Sequence, residues 1–229
     1  VLVVIGNVVY RAISLNGGLV ENLQNLATRG SRDILNISLL EAAGNSLRNL
    51  LVSLLISLPI AWLAAAKKKP SLLVLIPIGV SPVVIGLVFL VGAGYLPGAL
   101  GNWWLVPVAQ SVFLIPLGYQ VLRPARHAVE PEMLEAATLD GAGKVKTLAF
   151  VEAPILARPI AAAVSFISLA SLGEFGAASF LAYGSEATLP LAMFRLASRP
   201  GEMNLGMAMT TPLLFILLAL VVVYFISRE

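Results

Sequence analysis

The chain contains no cysteine and a single histidine, His127, among 229 residues. Disulfide frameworks, thiolate metal sites and histidine-rich metal centres are therefore excluded, and no metal or cofactor site is expected. Charge is scarce as well. Asp, Glu, Lys and Arg make up 12% of the residues, roughly half the share of an ordinary soluble domain. No acidic residue lies between Glu41 and Glu130. The net charge of +3 reflects this shortage of acids. The basic residues are scattered rather than interleaved with aromatics, so no nucleic-acid partner is expected. What the chain has in quantity is apolar surface: 59% of residues are hydrophobic and the mean hydropathy is +0.92. Lipid is its expected solvent.

A helix needs about 20 apolar residues to cross a bilayer. Five stretches meet that requirement: 46–66, 71–94, 103–122, about 158–180 and 205–227. Residues 1–13, VLVVIGNVVYRAI, are too short to span alone and carry neither a charged leader nor a small-residue cleavage site. They read as the end of a cut-off helix, and the chain, which begins without methionine, as a fragment or excised domain. The fold class expected is an all-α polytopic membrane bundle of five full spans plus a partial N-terminal one, with residues 1–229 forming a single transmembrane domain. Pro59, Pro77, Pro82, Pro107, Pro116 and Pro212 fall within these spans, where neighbouring helices can satisfy the freed backbone groups. Gly79, Ser81, Gly86, Gly92 and Gly94 are small enough to allow close helix contact.

Lys67, Lys68 and Lys69 fill a short turn between two spans and place that turn on the cytoplasmic side. Alternation then puts 95–102 outside, 123–157 inside, about 181–204 outside and the C-terminus inside. Nine lysines and arginines fall to the inner side by this scheme, Arg228 among them, and six to the outer. Trp103 and Trp104 open a span at the outer interface, where indole rings are favoured.

The inner loop at 123–157 is much longer than the other inner connection, and loops of that length are usually functional or disordered. This one has helical signals. Pro131 suits a first helical position, PEMLEAATL continues with an apolar side at Met133, Leu134, Ala137 and Leu139, and Gly141 fits a stop. A second short helix at about 143–150 presents Val145, Leu148 and Ala149, and Pro154 bars it from running much further. Five basic and five acidic residues balance between Arg123 and Arg158. Such an amphipathic helix–turn–helix at a membrane surface suits the docking of a soluble partner. His127 reads as a surface residue of the loop.

Within the loop, GAGK at 141–144 is not a nucleotide-binding turn. A phosphate-cradling loop needs a glycine where Thr138 stands, a Ser or Thr where Val145 stands, and a strand where this chain has a helix. EAATLDGAGKVKTLAFVEAP, Glu135 to Pro154, resembles instead the EAA loop of permease subunits from binding-protein-dependent ABC importers. Glu135, Ala136, Ala137, Gly141, Val151 and Pro154 fall on the places of that pattern, and Ala153 replaces its usual leucine.

The resemblance implies a MetI-like permease core in which these residues, with Leu139, couple the chain to a separate ABC ATPase subunit. It implies further partners: an extracytoplasmic solute-binding protein facing residues 14–45 and 181–204, a second permease half (identical, homologous or fused), and membrane lipid. The location implied is the inner membrane of a bacterial or archaeal cell. ATP hydrolysis belongs to the partner subunit, so the chain itself is not an enzyme.

Glu174, in SLGEFGA, is the one acid inside an expected span, where charge is costly and marks a functional candidate for the translocation path or gate. The alternative for it is a solvated or ion-paired position near the outer end, with Arg195 or Arg199 as partner. LGEFGAASFL, TLPLAMFR and RPG resemble permeases for ferric iron, thiamine and related small solutes. A secondary transporter or channel is the alternative class, and would need more ionisable groups within the spans. An intramembrane enzyme ranks third, since no catalytic pair or nucleophile–base set is visible.

Overall fold

The computed structural model describes residues 2–15, 17–67, 69, 72–129 and 131–227. Lys68, Glu130 and Arg228 lie outside the described residues, as do the side chains of Leu134, Val145 and Ala149. Helices α1 (Leu2–Ser14) and α2 (Leu19–Asn25) lead into α3, Leu39–Ala65. Helix α3 begins at a reciprocal cap: Glu41 N–H donates to Ser38 Oγ at 3.2 Å, and Ser38 N–H donates to the Glu41 carboxylate at 2.7 Å. Its 27 residues are long and apolar enough to cross a membrane.

The single span expected at 71–94 is bent. Helix α4 (Leu72–Leu75) and a 3₁₀ turn (Ile76–Gly79) meet α5, Pro82–Gly94, at 102°. The cause is local. Val80 is extended, Ser81 Oγ accepts the Val83 N–H at 3.3 Å, and Pro82 occupies the first turn of α5. Proline needs no donor there and disfavours helix at the residue before it. Of the five small residues singled out in this stretch, Gly86 alone among the glycines meets a neighbour; Gly79, Gly92 and Gly94 face open space, and Ser81 is the cap.

Helix α6, Leu105–His127, crosses back through Pro116 and Pro124. The loop helices α7 (Pro131–Leu139), α8 (Lys144–Thr147) and α9 (Ala153–Ile155) come next, and then α10, Ala157–Leu172. The span expected at 158–180 is also broken: α10 ends at Leu172, and after Gly173, Glu174 and Phe175 the chain resumes as α11, Gly176–Leu181. Helix α12 (Leu189–Ala197) precedes α13, Glu202–Ser227, which crosses through Pro212. Among the described residues, three helices span by length and composition, and the bent pair would make a fourth.

Helices α3, α6 and α10 cross at Gly118, where an added Cβ would stand 3.0 Å from Ile167 Cδ1 and 3.1 Å from Ala61 Cβ. Polar contacts mark the two ends of the bundle. At one end Arg123 donates to the Lys67 carbonyl at 2.9 Å, tying α6 to the turn after α3. At the other, Asn45 donates to the carbonyls of Ser185 and Ala187, Arg48 pairs with Glu186, and the Arg48 guanidinium lies over the Trp103 ring.

Candidate functional site

Helix α7 ends as its sequence dictates. Gly141 adopts φ +78°, and Ala142 N–H reaches back to the Ala137 carbonyl at 2.9 Å, closing the turn that a left-handed residue permits. Glu135, Ala136 and Leu139 are exposed and Ala137 is half-buried. Leu139 is 87% exposed and Phe150, from the returning limb of the loop, is 78% exposed. Val151 is half-buried and Pro154 exposed. The loop thus presents a small apolar surface beside a carboxylate. Phe150 was not singled out from the sequence, where it stands in the apolar run Leu148–Val151 with nothing to mark it as exposed.

Pro154 does not stop the second loop helix. After α8 the backbone opens into a π-helical turn over Leu148–Glu152 and continues as α9, in whose first turn Pro154 sits. The register change places proline where no backbone donor is required. The chain breaks only at Leu156, and α10 begins at Ala157.

A clamp that the sequence did not reveal fixes the loop to the bundle. Arg126, in the last turn of α6, pairs with Glu152 at 2.8 Å, donates to the Trp62 carbonyl at 2.9 Å, and lies 4.3 Å from the centre of the Trp62 ring. Both side chains of the pair are largely buried. The loop's departure, its return and the end of α3 are held by one guanidinium. His127, next along, is exposed, as expected of a surface residue.

Glu174 lies between α10 and α11 and is 5% exposed. Its carboxylate accepts the N–H groups of Ala177 at 2.6 Å and Ala178 at 3.2 Å, and the Gln110 amide at 3.3 Å. Gln110 in turn accepts from Ser171 at 3.1 Å, and Ser171 lies 3.2 Å from Ser53. A buried polar chain therefore joins α3, α6 and α10 to the start of α11. The solvated or arginine-paired alternative is corrected: Glu174 caps α11, and neither Arg195 nor Arg199 pairs with it. It also borders a cleft of about 350 Å³ with Pro82, Phe113 and Gly173.

No protein-family model matches the chain. It is similar to a putative molybdenum transport system permease protein of Bacillus subtilis, YvgM, at 27% identity over 189 residues, covering 74% of this chain and 82% of that protein. It is 28% identical over 174 residues to the molybdenum transport system permease protein ModB of Escherichia coli, covering 66% and 76%. A probable molybdenum ABC transporter permease protein of Haloferax volcanii matches at 29% over 180 residues, covering 71% and 66%. Such relatives are transport permeases rather than enzymes, and with its long apolar helices the chain is a multi-pass membrane protein. The likeness to iron and thiamine permeases is not borne out, since these relatives are named for molybdenum.

Proposed function

We propose that the chain is the permease subunit of a binding-protein-dependent ABC importer, and that its solute is a tetrahedral oxyanion of the molybdate kind. The observation that carries the class is the exposed helix–turn–helix at one end of the bundle, with Gly141 left-handed and Glu135, Ala136 and Leu139 facing outward. Two alanines let a partner surface approach the helix closely, and a glutamate beside them offers a charge-assisted bond to an arginine or a backbone donor. Leu139, Val151 and Pro154 supply the apolar remainder, and the partner is the ATPase subunit. The relatives' names support the solute.

Residues 1–229 form one permease domain in this reading, set in the inner membrane of a bacterial or archaeal cell. A second permease half completes a central path, and an external binding protein meets the opposite end, residues 14–45 and 181–204. Glu174 governs the path indirectly, by holding α11 against the bundle.

The test is co-expression with an ATPase and a binding protein encoded beside the chain, then purification and reconstitution. ATP-dependent uptake of molybdate, lost without the ATPase, supports the reading. Uptake that needs no ATPase overturns the class, and ATP-dependent uptake of iron or thiamine instead of molybdate overturns the solute.

A further inference from the structure

Two stretches singled out in the sequence, TLPLAMFR and RPG, play no part in the coupling loop, and the structure brings their arginines together. Arg195, in the last turn of α12, and Arg199, just beyond it, line a cleft of about 500 Å³ at the end of the molecule opposite the loop. Asn36, Tyr183 and Ser198 share its lining, and among the described residues no acidic side chain does. Of the acids near this lining in sequence, Asp33, beside Ile34, and Glu202 lie outside it, and Glu186 pairs with Arg48. Neither Arg195 nor Arg199 has an ion-pair partner among the described residues.

The backbone that carries these groups is fixed. Asn204, fully buried, donates to the Pro200 carbonyl at 3.1 Å and accepts the Ser31 N–H at 2.9 Å, joining the turn after Arg199 to the segment that leads to Asn36. That approach depends on two glycines with positive φ. A Cβ would stand 3.0 Å from Asn204 Oδ1 at Gly30, and 3.1 Å from Asn204 Nδ2 at Gly201. Asn36 donates to the Gly184 carbonyl at 3.4 Å and so joins the two walls. The frame is built, while the two guanidinium groups keep their donors for something else.

We propose that this cleft captures a tetrahedral oxyanion at the outer mouth of the permease. The proposal rests on the importer reading for its sidedness. Guanidinium forks match such oxygens with paired N–H donors, which a lysine cannot do. Two of them match the charge of a divalent anion, and the Tyr183 hydroxyl adds a further donor. Because the walls are already joined, little ordering opposes binding. The oxygens can belong to a free anion or to the phosphate of a lipid headgroup, and the chemistry of recognition is the same.

The experiment is equilibrium dialysis of labelled molybdate, with sulfate as competitor, against the assembled transporter in non-ionic detergent free of phospholipid. Retention is expected, falling about ten-fold or more when Arg195→Ala and Arg199→Ala are combined, with the double lysine variant in between. Unchanged retention in the double alanine variant, in protein that still co-purifies with its ATPase, overturns the proposal, as does failure of the wild type to retain either anion. Repeating the dialysis in nanodiscs separates the sources. Displacement of molybdate by phosphatidylglycerol but not by phosphatidylcholine assigns the site to headgroups, and equal retention in both assigns it to the free anion. The Gly141→Asp permease, purified without its ATPase, should retain molybdate as the wild-type permease does without its ATPase. Lost uptake in that variant therefore bears on coupling alone, and lost retention in the arginine variants on the cleft alone.

Discussion

A Cβ on Gly86 would stand 2.6 Å from the Cα of Ala177, so α5 and α11 meet backbone to backbone. Gly176 reinforces the contact, since its own Cβ would lie 2.9 Å from the Val83 nitrogen. Neither neighbour is a side chain that can swing away. Gly86→Ala should therefore destabilise the bundle by about 1–3 kcal/mol, lowering the thermal midpoint of the purified protein by several degrees. Gly92→Ala, which points into open space on the same helix, is the control and should leave the midpoint unchanged. Equal midpoints for the two variants would contradict the close crossing.

Arg126 secures the loop at 123–157 through three separate interactions, so its variants should grade. Arg126→Ala loses the ion pair, the bond to the Trp62 carbonyl and the stacking together. Arg126→Lys keeps the charge but loses the planar fork. Glu152→Gln removes only the charge of one partner. Trypsin cleavage at the exposed Lys146 in inside-out vesicles should accelerate most in Arg126→Ala, less in Arg126→Lys and least in Glu152→Gln. A Glu152→Gln variant cut faster than Arg126→Ala would invert this account of the clamp.

Gly141 holds φ +78° with nothing near its Cα on the side a Cβ would occupy, so a substitution there is strained but not crowded. The strain is about 1 kcal/mol or more, too little to unfold a bundle packed elsewhere. At a docking surface it displaces the end of α7, and close-packed contacts tolerate little displacement. Gly141→Asp should insert and fold, yet fail to co-purify with the ATPase and abolish uptake, with Glu135→Lys milder. Normal uptake in Gly141→Asp would remove the coupling role from the loop.

Glu174→Gln keeps the size of the cap but leaves one oxygen where the carboxylate presents two to α11 and Gln110. Loss of a helix cap costs roughly 1 kcal/mol. Uptake should fall several-fold while the complex with the ATPase remains intact, as read by flux assay beside co-purification. Wild-type kinetics would restrict Glu174 to a packing role.

The purified chain alone should bind no nucleotide, because GAGK lacks both the first glycine and the hydroxyl that a phosphate loop requires. Titration with a fluorescent ATP analogue checks this, and saturable binding would count against it.

Apolar length is a one-dimensional property, so α3, α6 and α13 could be read directly, and Gly141 could be read because only one backbone conformation ends a helix in that way. The bends were harder. Ser81-Pro82 is a helix-start signal in the middle of an apolar run, and hydropathy averaged over the run conceals it. The break after Leu172 depends on Glu174 folding back to cap α11, an arrangement that becomes visible only when Gln110 and Ser171 are brought alongside. Arg126 and Glu152 are separated by the whole loop and by no sequence pattern. The stretches compared with iron and thiamine permeases form the α10–α11 break and α12 with its turn, and local sequence of that kind does not separate one solute from another.

The π turn at Leu148–Glu152 holds one residue more than a regular helical turn. Each residue in an α-helix carries about 100° of rotation and 1.5 Å of rise. Relaxing that turn to α geometry would oblige the chain beyond it to screw round by one such step. Helix α10 lies in that direction, and its far end carries Ser171 and leads to Glu174. Such a step would meet the break at Leu156 before it met α10 and the buried polar chain.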